Sequence, residues 1–136
     1  MMMLSCKLQP LSESSQPQNN DADLLSTKEM IESGEYSLTI RQDVFPAGTE
    51  SIIIELSNTS NDVMGVNITL ERETDDGWMI IKKDPSVKPS SQTVAIDETA
   101  VNTIEFKDFD HDMAPGKYRV LQGSGRQVVG AEFVIE

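Results

Sequence analysis

The stretch DHDMAPGKYRVLQ, Asp110 to Gln122, decides how the rest of the chain is read. A proline–glycine turn, Pro115-Gly116, leads through Lys117 into Tyr118 at the start of a strand-like run late in the chain. That is the sequence form of a tyrosine corner, in which the phenol packs across a crossover and its hydroxyl bonds backbone a few residues upstream. Two residues further on stands Val120. In disulfide-linked sandwiches this position carries the second inter-sheet cysteine. Here it is aliphatic, and Ile54 is the candidate for the opposing position.

Outward from the corner, the dominant period is two, the spacing of strands with one buried face. Upstream, YSLTI sets Tyr36, Leu38 and Ile40 on one side, and SIIIEL does the same with Ile52, Ile54 and Leu56, leaving Ile53 on the other. In GVNITLE, Val66, Ile68 and Leu70 alternate with Asn67, Thr69 and Glu71. The turn signal TDDG precedes WMIIKK, which reads as the return strand of a hairpin built on Asp76-Gly77. TVAI at 93–96 and NTIEF, with Ile104 and Phe106 paired, follow. Downstream, QVVGAEFVI places Val129, Ala131, Phe133 and Ile135 on one side, and GSGRQ before it reads as a hairpin turn. Short strands at this density, separated by turn-rich segments, predict an all-β antiparallel sandwich of seven to eight strands. With the corner it is immunoglobulin-like. Trp78 follows a hairpin instead of lying on the third strand, so the antibody pattern does not apply; it is expected to fill the core, the other reading being an exposed recognition patch.

Four elements in order resemble the bacterial immunoglobulin-like domains of Gram-positive lipoproteins and surface proteins. They are Leu56, Asn58 and Ser60; Gly65, Leu70 and Glu71; Asp76, Gly77 and Trp78; and Pro115, Gly116, Lys117, Tyr118 and Arg119. The resemblance spans roughly Glu35 to Glu136. It implies the fold and brings no assigned activity with it.

At 136 residues the chain suits one domain. Its organisation reads as an N-terminal tether over 1–34, with a short helix, and a sandwich domain over 35–136. Lys7 to Asn20 is mostly Ser, Gln, Asn and Pro, too poor in apolar groups to offset the entropy of ordering. Ser26 and Glu29 then have capping-box spacing, and Gly34 would end the helix. The net charge of −12 repels phosphate backbones, which argues against nucleic-acid binding, and against anionic headgroups without an anchor.

The residue inventory predicts no enzyme and no cofactor. His111 is the one histidine, and Asp108, Asp110, His111 and Asp112 cluster in DFDHDM; a solvated loop is the expectation and a weak cation site the alternative. Glu71 and Glu73 read as a solvent-facing strand edge, without the opposed carboxylates a glycosidase uses. Arg119 is expected to pair with an acidic neighbour that the sequence does not identify. The sequons at Asn58 and Asn67 are common by chance.

Cys6 is the sole cysteine, so no internal disulfide forms. Met3-Leu4-Ser5-Cys6 resembles a lipobox, in which the chain is cut before a cysteine that then carries acyl chains, although only five residues precede it. The expected function is a noncatalytic binding or accessory module at the cell envelope, facing outside, with an unidentified protein or glycan ligand and membrane contact only through lipid on Cys6. The alternative is a soluble, cytoplasmic protease-inhibitor-like module using DPSVKPSSQ at 84–92, stiffened in extended form by its prolines.

Overall fold

The structure, a computed structural model, describes residues 25–31, 34–88, 91–123 and 125–136. Eleven strands occur among them: β1 (Glu29–Met30), β2 (Tyr36–Ile40), β3 (Val44–Phe45), β4 (Ser51–Asn58), β5 (Met64–Gly65), β6 (Ile68–Thr74), β7 (Gly77–Ile81), β8 (Thr93–Val94), β9 (Glu98–Glu105), β10 (Gly116–Gln122) and β11 (Gln127–Ile135). Seven of these have five residues or more, and they build the expected sandwich. The larger sheet runs β1-β11-β10-β6-β7, with β3 also on β11; the smaller runs β9-β4-β2, and β5 pairs with β8.

Alternation sorts the side chains as the period predicts. Ile52, Ile54 and Leu56 of β4 are buried while Ile53 is 41% exposed. From the facing sheet, Leu70, Tyr118, Val120, Val129, Phe133 and Ile135 enter the same core. Ile54 and Val120 are both fully buried in that core. Phe133 is its aromatic centre: Tyr118 stacks on it at 5.5 Å, Phe106 at 6.2 Å, and Phe45 meets it edge-on at 5.8 Å.

Two local expectations are corrected. No helix forms around Ser26 and Glu29. Leu25 instead bridges Met79 on β7, and β1 pairs in parallel with Gln127 and Val128 of β11. Because β7 and β11 lie at opposite sides of the larger sheet, residues 25–30 cross its outer face as a strap. The strap's N–H groups prefer sheet carbonyls to an isolated helical turn, which is costly to nucleate: Ser26 N donates to Trp78 O, Glu29 N to Arg126 O and Ile31 N to Val128 O, at 2.7–2.8 Å. The second correction concerns the hairpin. Its two loop residues are Asp75 and Asp76, because Thr74 pairs with Gly77. Gly77 follows them at φ +121, a backbone region that glycine tolerates.

Candidate functional site

Of the motif residues, those at 70–78 and 115–119 lie on or beside the larger sheet, but on opposite faces. Tyr118 points inward, fully buried, and its hydroxyl donates to Ala114 O, closing the corner over four residues. Arg72, on the neighbouring strand, lies 5.7 Å from the centre of the Tyr118 ring and donates to Pro115 O at 3.4 Å. Its guanidinium also fills the space beside Gly116, where an added Cβ would sit 3.4 Å from Nη2. Burial pushes the Tyr118 hydroxyl above its ordinary pKa; the Arg72 charge opposes that and the Asp112 carboxylate adds to it. Nothing in the local sequence LERET marks Arg72 for this position, because a partly buried arginine and a solvated one look alike in a strand.

On the outer face, Arg119 finds its acidic partner in Glu71, directly across the β10–β6 ladder. Nε and Nη2 both reach Glu71 Oε1 at 2.7 Å, and Nη2 also donates to the strap carbonyl of Lys28 at 3.0 Å. Glu71 is fully buried, which corrects its expected place on a solvent-facing edge. The strap accounts for this: it lies over a face that period two alone assigns to water. Glu73, two residues on, is exposed as expected. Trp78 is corrected too. It joins this outer cluster, half-buried, with the Arg119 guanidinium 4.4 Å from its ring centre, a cation–π stack instead of a core anchor.

Beside the ion pair, Leu121 and Val128 are buried outside the main core. Gly130 permits this packing, since a Cβ there would lie 2.4 Å from Val120 O and 3.1 Å from Met30 Sδ. The result is a second, small core clamped by the strap, with a desolvated and neutralised charge pair at its centre. Such an arrangement fixes position; a carboxylate tied to a guanidinium and sealed from water is poorly placed for proton transfer to a substrate.

The remaining candidates separate. Asn58 is buried and serves structure: its Nδ2 donates to Asp62 O and Val94 O, and its Oδ1 accepts from Ser60 N and Oγ. Asp108 and Asp110 tie backbone to Asp84 and Lys82, while His111 lies beside Phe106 and Met113. Among the described residues, no three His, Cys, Asp or Glu side chains gather closely enough to hold a metal. Within 84–92, the segment Asp84 to Val87 forms a turn and not an extended run. Asp84 accepts from Ser86 N and Oγ, bonds that hold its carboxyl below the usual range, and Val87 N donates to Asp84 O in a turn. Pro89 and Ser90, within that stretch, lie outside the described residues, as does Cys6. No helix among the described residues is long and apolar enough to cross a membrane.

Residues 26–134 match the profile of a family described as bacterial Ig-like domain. The match begins inside the strap. No curated protein matches the chain. Among solved structures, the chain is similar to a β-glucosidase from Listeria innocua in complex with isofagomine, at 18% identity and a TM-score of 0.44, over 74% of this chain and 16% of that one. It is also similar to the alkylpurine DNA glycosylase AlkC of Pseudomonas fluorescens, at 12% identity and a TM-score of 0.42, over 75% and 30%. A third, the sulfur carrier protein SoxY of Chlorobium limicola, has 10% identity and a TM-score of 0.34 over 88% and 92%. The chain thus spans under a third of the glucosidase and glycosylase chains.

Proposed function

The chain belongs to the bacterial Ig-like domain family, and from that membership we propose that it is a noncatalytic accessory and binding module held at the outer cell envelope by lipid on Cys6. The observation that carries this reading is the order of parts along the chain: Met3-Leu4-Ser5-Cys6, then a polar run, then a domain entered at Leu25 through a strap bonded at both sides of one sheet. A lipid on Cys6 would leave the polar run as the spacer between membrane and domain, and two acyl chains suffice for stable anchoring. Membership of a generally noncatalytic family and the sealed state of the Glu71–Arg119 pair support an interaction role over catalysis.

Cell fractionation of the native chain and of Cys6→Ser tests the proposal. The native chain is expected in the membrane fraction and the variant in the soluble or released fraction. A native chain found wholly soluble, or a variant that stays with the membrane, overturns it.

A further inference from the structure

We propose that the open edge of β9 is a docking site for an extended, cationic strand of a protein partner, which adds to the smaller sheet as its fourth strand. The inference rests on the binding-module part of the reading above and is independent of the lipid. β9 pairs with β4 along all eight residues, and no strand of the described chain lies on its other side. Phe106 N donates to Glu50 O at 2.9 Å, one step beyond the Glu105–Ser51 pairing. Ladder alternation then turns the peptide groups of Val101, Thr103 and Glu105 away from β4, toward the open edge. No hydrogen bond is formed to them there among the described residues.

The edge overlooks a groove of about 230 Å³ whose apolar lining includes Val66, Ile68, Val87, Ile104 and Phe109. Alternate side chains of an added strand would enter it. Asn102 faces the same groove: its Nδ2 donates to Gln92 Oε1 at 2.8 Å, and its buried Oδ1 accepts nothing. A buried acceptor without a donor carries a desolvation cost that an incoming N–H would remove. Moreover, the sequence ETAVNTIE lacks the lysine, proline or bulge with which exposed edges are ordinarily blunted, and Val101 is 57% exposed.

Charge selects the occupant. β9 carries a glutamate at each end and no cation, so antiparallel pairing of two copies would bring like charges near one another at both ends, and each chain carries −12. Neither glutamate has an ion-pair partner among the described residues. A partner strand with lysine or arginine at both ends meets these carboxylates favourably, and its donors suit Asn102 Oδ1. Lys83 and Lys88 also line this groove, together with Asp108.

The test titrates the full chain with a synthetic eight-residue peptide of alternating valine and threonine with lysine at each end, followed by amide hydrogen exchange. Binding is expected to slow exchange at Val101, Thr103 and Glu105. Thr103→Pro removes an edge N–H that forms no ladder bond and is expected to weaken binding at least about tenfold with an unchanged unfolding midpoint. Should that variant fail to fold, Val101→Lys, at an exposed side chain, is expected to weaken binding by charge repulsion. Protection elsewhere, or millimolar peptide without protection of these amides, overturns the proposal. So does a chain that self-associates through β9, or one that binds peptide only after residues 1–24 are removed.

Discussion

Glu71 is charged, fully buried and tied to Arg119, with its second oxygen unpartnered, so its surroundings penalise the loss of either member more than they reward the pair. Removing one partner strands the other charge, at a cost of about 3–5 kcal/mol, whereas replacing both by apolar groups of similar volume is often neutral. Glu71→Leu and Arg119→Met are therefore each expected to lower stability by that order in urea unfolding. The double variant should recover most of the loss. Tyr118 makes a different prediction. Burial raises its pKa above that of a free phenol, so the folded chain retains a proton that the unfolded chain releases. Its contribution is fully present below a pH of about 10, the unfolded value, and is lost as pH rises through the folded value. Tyr118→Phe should flatten that alkaline decline and, by emptying the bond to Ala114 O, cost about 1 kcal/mol at neutral pH.

Elements were legible where one rule sufficed. The inward faces of β4, β6 and β11 follow from alternation, because the pleat sends successive side chains to opposite sides whatever the neighbours are. Tyr118 was legible because a corner is local, set by Pro115, Gly116 and the residues next to them. The strap was not. Two residues of strand carry no period, and the spacing of Ser26 and Glu29 imitates a helix start although their N–H groups go to β7 and β11. Missing the strap displaced Glu71 and Trp78 with it, since both are covered by a segment more than forty residues away in sequence. The strap's weight can be measured. A chain lacking residues 1–33 exposes Leu121 and Val128, each contributing about 1.5–3 kcal/mol when buried. It should unfold at clearly lower denaturant than the full chain, and an unchanged midpoint would contradict the clamp.

On the scale of the whole molecule, family membership explains the sandwich, and the features left over lie at its margins: an edge of β9 that no strand among the described residues pairs, an anionic exterior, and an N-terminal run bearing Cys6. An anionic exterior keeps a displayed domain soluble and clear of acidic headgroups unless a covalent anchor holds it near. The tethered module is the central claim, and intact-mass analysis of the native protein purified from its own cells tests it most directly. The account predicts a chain that begins at Cys6 and carries a diacylglycerol-sized increment. A chain that begins at Met1 with a free thiol on Cys6 would contradict it.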